Sequence, residues 1–225
     1  MAADALQSMA LKAVSHVKDN AIVGLGSGST VSVFVKALAR YVKDNKLDIR
    51  VIPTSLQIKL EAEGLGFKIA DETLIPSTDI VFDGADQIDA KFNMIKGGGG
   101  ALLREKVLMH ASKQTVILAD ESKYVDVLTR AVPIEVIPYA RTHVTNQLKK
   151  IGAQPSVRSL DKGYPFITEN GNFILDAIFK KINDVSKMEL ELKNIAGVME
   201  VGLFSKHADK YYKAKKDGAV EVLTP

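Results

Sequence analysis

The 225-residue sequence contains no cysteine. This absence excludes disulfide bonds, thiolate nucleophiles and cysteine-ligated metal sites. The sequence also has no apolar run approaching the roughly 20 residues that a membrane-spanning helix needs. The start, MAADALQSMALKAV, is amphipathic and lacks the apolar core of a signal peptide. We therefore expect a cytoplasmic protein that does not bind membranes.

An excess of charge of one sign is missing as well. The 30 basic and 27 acidic residues are interspersed, and the formal net charge is only +3. Such a balance gives little electrostatic support for nucleic-acid binding, so we expect none. The four histidines, His16, His110, His143 and His207, share no spacing typical of metal ligands. We therefore expect no metal site.

The order of the local patterns predicts two domains. Hydrophobic residues make up 46 % and charged residues 25 % of the chain, as in ordinary globular proteins. Over residues 1–130, short buried strands alternate with helices, which predicts an α/β fold with a doubly wound, mostly parallel, Rossmann-like sheet. Over residues 131–204, antiparallel strands and two helices predict a smaller α+β domain of ferredoxin-like type.

Three local features of the second half are predicted in more detail. Residues 134–137 show the alternation of an ordinary strand. Residues 165–168 and 172–176 form two strands around the turn Glu169-Asn170-Gly171, which is a strong hairpin signal. The tail, residues 210–223, is a second hairpin that turns at Asp217-Gly218.

The most informative stretch is DGADQIDAKFNMIKGGGGALLREK, residues 83–106. The apolar run just before it predicts a buried strand, and three acids, Asp83, Asp86 and Asp89, follow that strand within seven residues. Acid-rich turns are usually just solvated. Carboxylates at the C-terminal end of a parallel strand, however, also face the crevice where ligands bind in such folds.

A cation and a glycine loop follow the acids. Lys96 precedes the four glycines Gly97 to Gly100, and a helical pattern begins at Ala101 with Glu105 near its start. Four glycines could form only a flexible loop, but a glycine loop entering a helix also brings bare backbone N–H groups to an anion. Acids, a cation and an anion cradle together indicate acid–base chemistry on an anionic substrate.

The turn GLGSGST, residues 24–30, has three interpretations. It approaches the dinucleotide fingerprint G-x-G-x-x-G, but Ser29 stands at the last glycine position. The acid expected about 20 residues later is also missing, so a nicotinamide cofactor is disfavoured. The hydroxyls of Ser27, Ser29 and Thr30 suit a phosphate or sugar oxygen better, although they could serve only as helix caps.

The motifs DGADQID, MIKGGGG and LLREK, in this order and spacing, resemble the signature of ribose-5-phosphate isomerase, type A. The similarity continues through ILADESK, PIEVIPYA, FITENGNFILD and GVMEVGLF, and so covers nearly the whole chain. One position departs from the signature, because the family commonly has Glu where this chain has Gln87. That departure leaves a role for a charge at this position in doubt.

The resemblance implies an aldose–ketose isomerase that interconverts D-ribose 5-phosphate and D-ribulose 5-phosphate through a cis-enediolate, in the non-oxidative pentose phosphate pathway, without a cofactor. Glu105 is then the general base, and Asp83 the acid–base group for ring opening. Asp86 helps to hold the sugar hydroxyls, Lys96 and the Gly97–Gly99 backbone stabilise the enediolate, and Lys123 binds the phosphate. The implied substrate-binding residues are Ser27, Gly28, Ser29, Thr30, Asp83, Gly84, Ala85, Asp86, Lys96, Gly97, Gly98, Gly99 and Lys123.

The resemblance also implies that the tail, about residues 205–225, returns to the larger domain, which is the catalytic one. The small antiparallel domain offers a surface for a homodimer or homotetramer. A non-catalytic sugar-phosphate sensor remains an alternative, although the residues before the first strand are too few for the helix-turn-helix that such repressors carry. A nicotinamide dehydrogenase is the other, weaker alternative.

Overall fold

The computed structural model describes residues 2–71, 73 and 77–225. These residues form two compact units. One is drawn from Met1–Ala85, Arg104–Lys123 and Ala208–Pro225, and the other from Asp86–Leu103 and Tyr124–His207. Across the described ranges, no helix combines the length and the apolar character needed to span a bilayer.

The elements follow one another along the chain as α1 Ala2–Ala13, β1 Ile22–Leu25, α2 Ser29–Asn45, β2 Arg50–Pro53, α3 Leu56–Gly64, β3 Lys68–Ile69, β4 Ile80–Asp83, β5 Gln87–Ile88, β6 Met94–Ile95, α4 Leu102–Ala111, β7 Thr115–Asp120, β8 Val132–Val136, α5 Arg141–Lys150, β9 Gln154–Val157, β10 Phe173–Ile178, α6 Val185–Lys193, β11 Val198–Val201, β12 Leu203–Phe204, β13 Lys210–Ala214 and β14 Val220–Leu223.

The first unit is built on a seven-stranded sheet of order β14-β13-β7-β4-β1-β2-β3. Its strands pair in parallel, except that β14 runs antiparallel to β13. The predicted α/β class with a mostly parallel sheet is confirmed. The strands β4 and β7 are apolar and almost entirely buried, as expected for strands whose two faces are both covered.

The two faces of this sheet are covered by different helices. Phe82 of β4 stacks on Phe34 of α2, with ring centroids 4.1 Å apart, inside the large core that α1 and α2 also line. The preceding residue, Val81, belongs to a second cluster with Leu108 of α4 and Ile52 of β2. Because successive strand residues point to opposite faces, these two contacts place α2 and α4 on opposite sides of β4.

The tail joins the same sheet. β13 pairs in parallel with β7 and antiparallel with β14, and the hairpin between them turns at Asp217-Gly218, as the sequence predicted. Gly218 has φ +88°, a left-handed conformation that suits glycine. Tyr211 of β13 is fully buried, and its hydroxyl accepts a hydrogen bond from the N–H of Ala208 at 2.9 Å.

The second unit contains the order β8-α5-β9-β10-α6-β11. Its four strands form an antiparallel sheet in the order β11-β8-β10-β9, which is the ferredoxin-like arrangement. Val144 and Leu148 of α5 and Leu192 of α6 pack against the strands in one core. The predicted ferredoxin-like domain is confirmed. A separate three-stranded sheet, β12-β6-β5, also lies in this unit.

Several local predictions for this unit differ from the structure. β9 has the sequence Gln-Pro-Ser-Val and was not predicted; its proline is tolerated because β9 is an edge strand. The strand predicted over 165–168 makes only isolated bridges, although the turn after it is present. The strand 198–204 is divided at Gly202 into β11 and β12. β8 is buried at all five positions, whereas the alternation in its sequence is typical of a strand with one exposed face.

The packing units also differ from the sequence division. Residues 86–103 and 124–130 were assigned to the larger domain, whereas they pack within the second unit. The functional division at about residue 130 remains a prediction.

Candidate active site

Three neighbouring strands of the first unit carry several of the predicted site residues at their carboxyl ends. β1 and β7 both pair with β4, and all three run in parallel. The turn 26–30 follows β1, Asp83 ends β4, and Lys123 lies just after β7. Because parallel strands end at the same edge of a sheet, the fold gathers these residues at one edge.

Asp83 is held in place by backbone groups. Its side chain is buried, with the residue only 4 % exposed, and its Oδ1 accepts hydrogen bonds from the N–H of Gly84 at 2.7 Å and of Ser27 at 3.3 Å. A Cβ atom on Gly26 would lie 1.8 Å from the same oxygen. Glycine at position 26 is therefore required for the carboxylate to occupy this position.

Glu105 lies in the first turn of α4 and is only 3 % exposed. The hydroxyl of Ser27 donates to its Oε1 at 2.5 Å, a length typical of a hydroxyl bound to a carboxylate. Ser27 therefore contacts both acids, Asp83 through its N–H and Glu105 through its side chain. Helix capping, one of the two roles considered for this hydroxyl, does not apply, because the N-cap of α2 is Gly28.

The N-terminus of α2 lies directly after Ser27. Gly28 has φ +88°, which turns the chain into the helix at Ser29. Ser29 is exposed and Thr30 is half-buried, and α2 runs for 17 residues. The first N–H groups of a helix and its dipole attract anions, so this turn has the chemistry of a phosphate site.

Lys123 ends a short 3-10 turn after β7 and is half-buried. That turn is shaped by Asp120, the last residue of β7, whose Oδ1 accepts hydrogen bonds from the N–H of Ser122 at 3.0 Å and from its hydroxyl. The fold thus places a lysine at the same sheet edge as Asp83.

In the second unit, Asp86 and the glycine loop form one hydrogen-bonded structure. The Oδ2 atom of Asp86 accepts a hydrogen bond from the N–H of Gly98 at 2.7 Å. A Cβ on Gly98 would lie 2.6 Å from the other carboxylate oxygen. Gly97 is buried with φ +100°, whereas Gly98 and Gly99 are exposed. The exposed part of the loop is therefore open to a ligand.

Lys96 precedes this loop and is only 2 % exposed. Its Nζ lies 5.5 Å from the ring centroid of Phe204, a cation–π distance, and its N–H donates to the carbonyl of Gly202 at 2.9 Å. A Cβ on Gly202 would lie 2.4 Å from the Lys96 carbonyl oxygen. Neither Phe204 nor Gly202 was identified as a candidate from the sequence, where both appear only in the apolar segment GVMEVGLF.

The side chain of Gln87, at the position where the family signature commonly has Glu, binds the segment 129–130. Its Oε1 accepts hydrogen bonds from the N–H groups of Thr129 and Arg130, both at 2.9 Å, and its Nε2 donates to the Thr129 hydroxyl at 3.0 Å. A carboxylate could accept the same two backbone hydrogen bonds. The side chain at this position thus fixes the segment 129–130 whether it is an amide or an acid.

Two of the four histidines contact aromatic side chains, and His110 and His143 are exposed. His16 Nε2 lies 2.9 Å from the hydroxyl of Tyr212, and His207 packs edgewise on Phe92 with ring centroids 6.4 Å apart. In residues 2–71, 73 and 77–225, no group of three or more His, Asp or Glu side chains is arranged to hold a metal ion.

Comparison with known proteins supplies the family. The model of the family described as ribose 5-phosphate isomerase A (phosphoriboisomerase A) matches residues 50–218. A ribose-5-phosphate isomerase A from Methanosarcina acetivorans is 40 % identical over 215 residues, covering 95 % of this chain and 92 % of the relative. The chain belongs to the ribose-5-phosphate isomerase A family.

Other members and solved structures agree. Ribose-5-phosphate isomerase A 1 from Oceanobacillus iheyensis is 42 % identical over 207 residues, covering 92 % of each chain. The structure of ribose 5-phosphate isomerase A from Methanocaldococcus jannaschii superimposes with a TM-score of 0.93 at 37 % identity, over 99 % of both chains. A D-ribose-5-phosphate isomerase in complex with phospho-erythronic acid superimposes with a TM-score of 0.92 at 38 % identity, over 98 % of both chains.

Proposed function

We propose that the protein interconverts D-ribose 5-phosphate and D-ribulose 5-phosphate through a cis-enediolate, as a step of the non-oxidative pentose phosphate pathway. The observation that carries the proposal is the link through Ser27 between two buried carboxylates, those of Asp83 and Glu105. Two fixed carboxylates at the ligand-binding edge of the sheet supply the acid and base that an aldose–ketose isomerisation needs. Family membership supports the choice of sugar.

Glu105 is the general base in this proposal. Moving a proton between C1 and C2 requires one group that removes it from one carbon and returns it to the other. The Glu105 carboxylate is suited to this role because the Ser27 hydroxyl holds it in one orientation. A base that is already oriented loses less entropy on reaching the transition state. Asp83 then opens the furanose ring and moves protons between the sugar oxygens.

The substrate-binding roles follow the family resemblance. The turn at Ser27–Thr30 and Lys123 bind the phosphate, and the backbone at Gly84 and Ala85 contributes to substrate binding. Asp86 holds sugar hydroxyls, while Lys96 and the Gly97–Gly99 backbone stabilise the negative charge on the enediolate oxygen. Preplaced cations and N–H donors are the groups that lower the energy of such an oxyanion.

The phospho-erythronic acid in the related isomerase structure supports an enediolate. This ligand carries a phosphate and a carboxylate. The carboxylate is planar and negatively charged and lies next to a hydroxyl-bearing carbon, so it resembles the planar, charged group of an enediolate. A protein that stabilises the intermediate would bind such an acid. The homodimeric or homotetrameric state and the cytoplasmic location stay predictions.

Running the reaction in heavy water tests the mechanism. A proton that rests on Glu105 can exchange with solvent before it returns to carbon, whereas a hydride that passes directly between carbons cannot. We expect solvent deuterium at C1 of ribulose 5-phosphate and full activity after chelator treatment. Unlabelled product, with activity lost to chelator and restored by a divalent ion, would overturn the mechanism. Binding of ribose 5-phosphate without any turnover would instead support the sugar-phosphate sensor.

A further inference from the structure

Arg158, just after β9 in the second unit, is fixed on several sides. Its N–H donates to the carbonyl of Ile174 at 2.8 Å, and its own carbonyl accepts from the N–H of Phe166 at 2.9 Å. Its guanidinium binds the carboxylate of Asp176 at two points, Nε to Oδ2 at 2.8 Å and Nη2 to Oδ1 at 2.5 Å. Two parallel hydrogen bonds of this kind fix the plane of the guanidinium group.

The remaining guanidinium nitrogen reaches the glycine loop. Nη1 donates to the carbonyl oxygens of Gly97 at 2.8 Å and Gly98 at 3.0 Å. Phe166 lies under the guanidinium, with 5.8 Å between the ring centroid and the Cζ of Arg158. The same ring would be 2.4 Å from a Cβ on Gly100. Arg158 and Phe166 therefore hold two different points of the loop.

These contacts determine where the N–H groups of the loop point. The peptide bonds of the described residues are trans, and in a planar trans peptide the N–H points opposite to the preceding carbonyl. With the carbonyls of Gly97 and Gly98 turned to Arg158, the N–H groups of Gly98 and Gly99 turn away from it. The N–H of Gly98 meets the carboxylate of Asp86 on that other side.

We propose that Arg158 is a positioning residue of the isomerase, which holds the Gly98 and Gly99 N–H groups and the Asp86 carboxylate in the arrangement that meets the substrate. The proposal rests on the proposed function. Glycine residues adopt many backbone conformations, so a run of four would otherwise not keep its N–H groups aligned. Arginine is required because lysine has no planar fork to bind the two carbonyls and the carboxylate together.

The test compares kcat and KM of Arg158→Met and Arg158→Lys with those of Arg141→Met. Arg141 is an exposed arginine at the start of α5 in the same unit, so its variant controls for loss of a positive charge. We expect Arg158→Met to lower kcat about 10²-fold, the loss seen when an aligned donor is removed. Arg158→Lys should lower kcat less, about tenfold, because lysine keeps a donor and the positive charge. KM should change far less, and Arg141→Met should match the unmutated protein.

A second measurement separates positioning from general loss of structure. Arg158 orients the Gly98 N–H by binding the Gly97 carbonyl of the same peptide group. Hydrogen exchange of the Gly98 amide, followed by NMR, should therefore accelerate in Arg158→Lys, while amide exchange in β7 stays unchanged. Addition of Asp176→Asn to Arg158→Met should cause little further loss in kcat, because both residues act through the same contact.

The proposal is overturned if Arg158→Lys keeps kcat within about twofold of the Arg141→Met value, or if Gly98 exchange does not change. If Arg158→Met fails to fold, Arg158→Lys decides. If the unmutated protein does not isomerise ribose 5-phosphate, the proposed function fails on that assay alone. Gly98 exchange in Arg158→Lys then decides separately whether Arg158 holds the loop.

Discussion

At the scale of single residues, Ser27 contacts both proposed acid–base residues, which its position in a glycine-rich turn does not indicate. Its N–H binds the carboxylate of Asp83 and its hydroxyl binds that of Glu105. Asp83 in turn occupies the space that any side chain at Gly26 would need. The turn after β1 and the two acids therefore form one structure, in which a change at one residue displaces the others.

Glu105→Gln tests the base. The amide keeps the size of the side chain but cannot accept the proton, so we expect kcat to fall about 10²–10⁴-fold, the usual contribution of a general base. KM should change much less, and ketose formation from ribose 5-phosphate measures both. Glu63→Gln, at an exposed glutamate of α3, is the matched control. A Glu105→Gln enzyme with more than about a tenth of the original kcat would show that another group is the base.

Ser27→Ala tests the link between the acids. It removes a hydrogen bond to a carboxylate, worth about 1.5–3 kcal/mol, while leaving the backbone contact to Asp83. We expect kcat to fall about tenfold, because the Glu105 carboxylate then has to find its orientation at the reacting carbon. Ser15→Ala, which removes an exposed hydroxyl that donates to the carbonyl of Lys12 at 2.7 Å, is the control. An unchanged kcat with a raised KM would instead assign the hydroxyl to substrate binding.

At the scale of elements, the turn 168–172 is attached to the middle of β8. Glu135 of β8 is 0 % exposed, and its Oε1 accepts hydrogen bonds from the Thr168 hydroxyl at 2.8 Å, Asn170 Nδ2 at 3.0 Å and Asn172 Nδ2 at 2.9 Å. The turn thereby covers the side of β8 that its alternating sequence indicated as polar. This contact accounts for the burial of Glu135.

Glu135→Met should destabilise the fold by about 3 kcal/mol, because buried donors of Thr168 and Asn172 lose their acceptor while the side-chain volume is nearly kept. Urea unfolding followed by circular dichroism measures the change. Glu191→Met, at an exposed glutamate of α6, should stay within about 0.5 kcal/mol of the original protein. Coincident unfolding curves for the two variants would show that the Glu135 contacts contribute no net stability.

At the scale of the whole molecule, the first unit should respond to pH through His16. Burial lowers the pKa of His16 below its ordinary value of 6.5, and the charge of Lys210 lowers it further. The unfolded chain then binds the proton more readily than the folded one. Stability is therefore fully present above pH 6.5 and decreases as the pH falls through the interval between the unfolded and folded pKa values.

We expect the free energy of unfolding to fall as the pH is lowered below about 6.5, and His16→Gln to reduce that fall. Urea unfolding at several pH values measures the slope. His143→Gln, at an exposed histidine of α5, should leave the slope unchanged. A slope that is the same in His16→Gln and in the original protein would remove His16 as its cause.

The sequence by itself determined the class of the seven-stranded sheet and of the four-stranded sheet, and the stretch that carries the candidate site. The apolar runs of β4 and β7, the glycine and hydroxyl residues after β1, and the acids followed by four glycines are local patterns. Backbone preferences and hydrophobic periodicity act over a few residues, so they can be read directly from the chain. The Asn170-Gly171 turn and the hairpin at Asp217-Gly218 were predictable for the same reason.

The tertiary structure alone decided which of these residues touch. Ser27 meets Asp83 and Glu105 across 56 and 78 positions, and Arg158 meets Gly97 across 61. β9 lacks a strand pattern and forms because β10 offers it an edge to pair with. Such contacts depend on the order in which strands pair and on how helices pack over them, so no local pattern specifies them. The contacts of Ser27 are made within the first unit, and those of Phe204 and Arg158 within the second.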